Sequence, residues 1–180
     1  PISRLFKLKK RCKAKLALDA TASIGLEKGH GHADILAYSS CKGLFGLTGG
    51  AFVAFNMTPE NEINQFNLNI HNHIEKKMTG PYHAICSLYE VLKSYSDFKY
   101  AVTVNKKFFI KKMKDYLVYN VDEQPNLCTY INAKIINKSK KIILYQSRAN
   151  ISGSIVCHLG EVHLKRNAKG KIIDSIKIAN

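Results

Sequence analysis

Three short apolar runs, each closed by turn residues, constrain this chain most. Leu16-Ala17-Leu18 stops at Asp19. Ile35-Leu36-Ala37-Tyr38 leads into Ser39 and Ser40, and residues 51–55 form a third run, Ala-Phe-Val-Ala-Phe. Each has the length of a buried strand and is too short for a helix. The stretch between the first two runs contains Gly25, Gly29 and Gly31; Gly43, Gly46, Gly49 and Gly50 precede the third. Apolar strands that end in polar side chains, joined by irregular connections, read as an α/β domain.

Residues 1–15 form a basic lead-in with few large apolar side chains, Leu5, Phe6 and Leu8 among them. Residues 59–78 are polar and read as partly helical, and Thr79-Gly80-Pro81 breaks the chain. Ile85, Leu88, Val91 and Leu92 then fall at helical spacing, and residues 100–119 read as a second helix with Phe108, Phe109, Met113 and Leu117 on one side. After Pro125 the pattern turns to short β-type runs at 127–136, 142–145, 155–159 and 161–164. A change near residue 96 divides the chain into an α/β part, 1–95, and a smaller α+β part, 96–180.

A hydrophobic content of 46 % supplies enough apolar side chains for a packed core. No apolar run approaches the roughly 20 residues that a membrane span needs. Pro1 is not an initiator Met and no signal-peptide core follows it, so the chain reads as cut from something longer. The five cysteines, Cys12, Cys41, Cys86, Cys128 and Cys157, are dispersed and odd in number, which argues against a disulfide framework or a zinc cage and for a reducing cytoplasm. The net charge of +15 is spread along the chain, which fits a solvated surface better than a nucleic-acid patch. A basic nucleic-acid-binding module is the non-enzyme alternative.

Two titratable residues stand where chemistry could be placed. Asp19 ends the first run, and Lys42 follows the second inside Ser39-Ser40-Cys41-Lys42-Gly43. Taken singly, an Asp at a strand end is an ordinary cap and a Lys before Gly an ordinary surface residue. Together and in this order they meet two needs of pyridoxal-phosphate chemistry. A lysine amine condenses with the cofactor aldehyde and later carries a proton, and an Asp keeps the pyridine nitrogen protonated. The glycine-rich stretch is not a Walker loop, because its lysine precedes the glycines.

These residues lie in recognisable segments. Asp19-Ala20-Thr21-Ala22-Ser23-Ile24-Gly25 resembles the D-A-x-x-S-x-G segment of class V aminotransferases. Asp34-Ile35-Leu36-Ala37-Tyr38-Ser39-Ser40-Cys41-Lys42 resembles that family's D-x-x-x-x-S-x-x-K stretch, and Thr79-Gly80-Pro81-Tyr82-His83 its T-P-P-x-H segment. Cys157-His158-Leu159-Gly160-Glu161-Val162 is similar to the tail of R-I-G-N-x-G-E-V in its small domain. The blend is nearest to the 2-aminoethylphosphonate:pyruvate branch, with the serine–pyruvate and alanine–glyoxylate branch next.

The resemblance runs over residues 16–165 and implies the remainder of a mostly parallel pyridoxal-phosphate-dependent large domain followed by a small α+β domain. It implies an aminotransferase homodimer, cytoplasmic, with an anionic amine donor and a pyruvate-like keto acid as substrates. Lys42 and Asp19 would be catalytic. Ser39 and Cys41 would lie near the cofactor, and Thr79 would reach the cofactor phosphate of the partner subunit. The chain departs from the family in two ways. The N-terminal half, with its phosphate loop and stacking aromatic, is absent, so an isolated chain is expected to be inactive. Ile155 also stands where the carboxylate-binding Arg belongs; Arg148 is the nearest replacement, its fork suited to a carboxylate. Cysteine desulfurases share the fold and lysine but carry a His where this chain has Cys41.

Other polar residues have ordinary readings. His30 with His32, and His71 with His73, lack a third metal ligand at typical spacing. His83 reads as a helix-capping residue. Cys41 is either a thiol activated by Lys42 or a small packing residue.

Overall fold

The computed structural model describes residues 2–56, 63–76, 80–138, 153–158 and 168–179. The fold is mixed α/β. The chain separates into two compact units, Pro1–Lys93 and Ser94–Asn180.

In the first unit, helix α1 (Ile2–Cys12) precedes strands β1 (Ala17–Asp19), β2 (Ile35–Ser39) and β3 (Ala51–Phe55); α2 (Ile70–Glu75) and α3 (Tyr82–Lys93) follow. The strands lie side by side in the order β1-β2-β3. The three apolar runs are therefore strands, but the described sheet is mixed rather than mostly parallel. β1 and β2 are parallel, with Asp19 opposite Ala37, whereas β3 runs antiparallel to β2, with Ala37 opposite Val53. The connections explain the difference. A parallel return needs a crossover of a dozen or more residues, usually a helix. The β1–β2 link is long enough, but the β2–β3 link is an eleven-residue turn, residues 40–50, that folds back on itself.

The basic lead-in is an ordered helix. α1 lays Ile2, Phe6 and Lys9, four and then three residues apart, on the β1–β2 connection. Phe6 stacks on His32 with ring centroids 4.0 Å apart. Lys9 Nζ lies 2.7 Å from Asp34 and donates to the His32 carbonyl. The Lys9 hydrogen bond is the main reason the Asp34 carboxyl titrates below its usual range; the Leu16 amide adds to it.

In the second unit, α4 (Tyr95–Lys112) buries Val102, Asn105, Phe109 and Ile110. It begins and ends earlier than the sequence periodicity suggests. Met113 leaves the helical region, a tight turn over Lys114–Tyr116 follows, and Leu117 pairs with Ile131. Met113 and Leu117 both stay with the core, so apolar spacing continues past the end of the helix. Strand β4 (Cys128–Ile131) pairs antiparallel with β6 (Ser154–Cys157), and β5 (Lys134–Asn137) with β7 (Ile176–Ala179), the latter following helix α5 (Ala168–Ser175). The run read at 127–136 is thus two strands in two sheets, while those at 142–145 and 161–164 lie outside the described residues. Met113, Ile131 and Ala133 form one buried apolar cluster, packed by Tyr116, Leu117, Ile135, Val156 and Ile173. Gly153 enters β6 so close to the Ile131 carbonyl that a Cβ there would overlap it.

Candidate functional site

Parallel pairing brings the C-terminal ends of β1 and β2 together. In-register residues share a face of the sheet. Asp19, Ala37 and Val53 are therefore on one face, joined by Ser39 two residues beyond Ala37. Tyr38 and Phe52 stack on the opposite face at 5.2 Å. The Asp19 face is open: Ala17 and Asp19 are exposed, and Ile35 and Val53 keep 41 % and 54 % of their surface in solvent.

Asp19 is held where β1 ends. Its Oδ1 accepts the Thr21 amide at 3.0 Å. Its carboxyl titrates below the usual range, chiefly because the Thr21 side chain donates to it. The Thr21 amide and the positive charge of Lys42 act in the same direction, while burial opposes them. Asp19 is therefore an anion at neutral pH and lies within the electrostatic reach of Lys42.

Lys42 opens a tight turn, Lys42–Leu44, that follows β2 after Ser40 and Cys41. Its φ is +51° and that of Phe45 is +62°. Non-glycine residues in this left-handed region are uncommon and cost about 1–2 kcal/mol. Gly43 donates its amide to the Thr21 carbonyl at 3.3 Å and lies so close to the Ile24 carbonyl that a Cβ there would overlap it. Cys41 Sγ and Ser39 Oγ are 3.1 Å apart. Asp19, Ser39, Cys41 and Lys42 thus occupy neighbouring strand ends.

The stretch after Lys42 is fastened by a residue that the sequence did not single out. Ser40 is fully buried. Its hydroxyl donates to the Leu47 carbonyl at 2.5 Å and accepts the Gly50 amide at 3.1 Å. Its own amide donates to the Gly50 carbonyl, and its carbonyl accepts the Gly46 amide, both at 2.9 Å. α3 packs against this loop: the Leu47 amide donates to Ser87 Oγ at 3.0 Å, and Leu88 covers Gly46. A Ser-Ser doublet before a lysine carries no signal of which serine is the fastening. Thr21, which supports Asp19, also reads as an ordinary loop residue.

Thr79 and Arg148 lie outside the described residues. Ile155, at the position where the family Arg is expected, is exposed on β6. Of the tail motif, Cys157 and His158 are described. His158 is fully buried. Its Nδ1 donates to the Asn126 carbonyl at 2.8 Å, which leaves Nε2 as acceptor for the Thr129 hydroxyl, also at 2.8 Å. Asn105 donates to its carbonyl and Phe109 stacks on the ring. All these contacts are structural.

Among the described residues no three His, Cys, Asp or Glu side chains gather as a metal-binding set. His30 Nε2 is 2.9 Å from Ser23 Oγ, His32 stacks on Phe6, and His73 Nε2 is 3.3 Å from the Asn67 carbonyl. His83 lies beside Gly49. Among the described residues no helix is long and apolar enough to cross a membrane. No family model matches the chain, and no curated protein does.

Proposed function

We propose that this chain carries the lysine-bearing part of a pyridoxal-phosphate-dependent aminotransferase of the class V type, nearest to enzymes that pass an amino group from an anionic amine to pyruvate. One observation carries the reading. Lys42 occupies a left-handed turn at the end of β2 and acts electrostatically on Asp19 at the end of the neighbouring parallel strand. Uncommon backbone at a titratable residue is a frequent mark of a functional site.

The residues fit the cofactor on three counts. Asp19 is an anion at neutral pH and suits a protonated ring nitrogen. Lys42 supplies a primary amine whose charge acts on Asp19, and the sheet face that bears Asp19 is open. When bound, pyridoxal phosphate supplies an aldehyde for the amine and an electron sink for the substrate carbanion. Lys42 would hold the cofactor at rest and, once displaced by the donor amine, move a proton from the donor's α-carbon. Asp19 would keep the ring nitrogen protonated throughout. The +15 charge would favour the approach of anionic substrates. Arg148 as carboxylate ligand, Thr79 as phosphate ligand of the partner subunit, and the homodimer itself are part of this proposal by resemblance.

The test is borohydride reduction of the chain together with the upstream segment that the resemblance implies, in the presence of pyridoxal phosphate, followed by peptide mapping. The pyridoxyl group is expected on Lys42. Label scattered over other lysines, or none, would overturn the assignment.

A further inference from the structure

We propose that Cys128 and Cys157 form a reversible cross-strand disulfide, a redox switch in the second unit that is independent of the aminotransferase reading. Far apart in sequence, the two residues stand directly opposite one another where β4 pairs with β6. Opposed residues of an antiparallel pair project from the same face. The inward face is taken by Thr129 and Ile131, both buried, so Cys128 and Cys157 share the outward one; Cys157 is exposed.

The backbone hydrogen bonds define the pairing further. The His158 amide donates to the Leu127 carbonyl at 2.8 Å. These are the residues flanking the cysteine pair, so Cys128 and Cys157 are a non-hydrogen-bonded pair, the type with closer side chains. Such pairs have Cα atoms ~4.5 Å apart. Bridged cysteines have Cα separations of ~4.4–6.8 Å. The pairing type thus meets the Cα requirement of a bridge.

The chemistry balances with an external disulfide such as oxidised glutathione. The exposed Cys157 thiolate attacks one glutathione sulfur; that S–S bond breaks and one glutathione thiolate leaves. The Cys128 thiolate then attacks Cys157 Sγ in the mixed disulfide and expels the second glutathione. The two cysteines lose two electrons and two protons in all, and one glutathione disulfide becomes two thiols. Exposed bridges are the more readily reduced ones, and Cys157 is exposed, which suits a switch. The bond would tie β4 to β6 beside the Thr129–His158 hydrogen bond, which joins β4 to the residue that follows β6.

Equilibration of the native chain in glutathione buffers, quenching with an alkylating agent and digestion without reduction test the proposal. Reactive thiols are expected to fall from five to three, and one linked peptide pair should contain Cys128 and Cys157. Dithiothreitol should restore all five thiols. Cys128→Ser and Cys157→Ser should each retain their four remaining thiols under the same oxidation, one fewer than the parent five. Urea unfolding supplies a second readout: the oxidised parent should unfold at a higher midpoint than the reduced form, and the Ser variants should show no such difference. A thiol count that stays at five, stable glutathione adducts in place of the bridge, or a bridge joining any other pair would overturn the proposal.

Discussion

The Gly43 amide donates to the Thr21 carbonyl at 3.3 Å, and this bond ties the turn that carries Lys42 to the turn that holds Asp19. Thr21 serves both sides, because its own amide donates to the Asp19 carboxylate. The link requires close approach, and the Ile24 carbonyl leaves no room for a Cβ at Gly43. Gly43→Ala is therefore expected to destabilise the first unit by about 1–3 kcal/mol, the usual cost of forcing atoms into packed space. Urea denaturation measures it; an unchanged midpoint would mean that the turn can shift freely.

Lys42 allows stability and function to be separated. Replacing it with glycine removes the left-handed cost while adding chain entropy to the unfolded state, so stability should be unchanged or rise by up to about 1 kcal/mol. Covalent capture of pyridoxal phosphate should disappear. Thermal unfolding and borohydride labelling of Lys42→Gly check the two halves. A strong loss of stability would show that the side chain is a structural support.

If the proposed chemistry holds, Asp19→Asn should leave phosphate-dependent cofactor binding largely intact and slow proton transfer by orders of magnitude, because a neutral amide does not hold a ring nitrogen protonated. Single-turnover absorbance measurements with the upstream segment present would show it. A rate within about threefold of the parent would remove Asp19 from the chemistry.

His158 makes the second unit sensitive to acid. Burial is the main cause holding its pKa below 6.5, and nearby Lys106 adds to it, while the Asn126 carbonyl opposes them. The unfolded chain therefore binds the proton first. Stability is fully present above about pH 6.5 and is lost as pH falls through the lower folded value. Urea midpoints between pH 7.5 and 5 should fall for the parent and change less for His158→Gln, compared at matched ionic strength. Identical pH profiles would show that other groups dominate.

The open face of the three-stranded sheet should drive association. Ile35 and Val53 expose apolar surface on the Asp19 face, and exposed apolar surface favours association. The 180-residue chain alone is expected to self-associate with rising concentration, and Ile35→Thr with Val53→Lys to reduce that tendency. Sedimentation velocity decides. A monomer at every concentration, unaffected by the double change, would show that the face needs no cover.

What could be read from sequence and what could not differ for physical reasons. The strands of the first unit were legible because each apolar run ends at a polar residue or glycine. The orientation of β3 was not, because it depends on how residues 40–50 fold back through Ser40. α1 was hidden by its charge: one of its three inward residues is Lys9, whose burial depends on Asp34 in another element. Asp19 and Lys42 stood out by their order along the chain and by the resemblance, but the support that Thr21 gives Asp19 did not. Cys128 and Cys157 looked unrelated because register, a property of two strands together, is what makes them neighbours.

Ser40 also has a kinetic meaning. A lysine on a floppy glycine-rich loop samples many positions and meets a fixed partner only a small fraction of the time. By anchoring both ends of residues 40–50 on one buried hydroxyl, the fold holds in place the backbone from which Lys42 projects. A fixed backbone there would, in the proposed chemistry, raise the effective molarity of the Lys42 amine toward a bound cofactor. For the proposed chemistry, Ser40 would set how often Lys42 is in position while touching no reactant, so a Ser40→Ala chain could keep every reacting group and still capture the cofactor slowly.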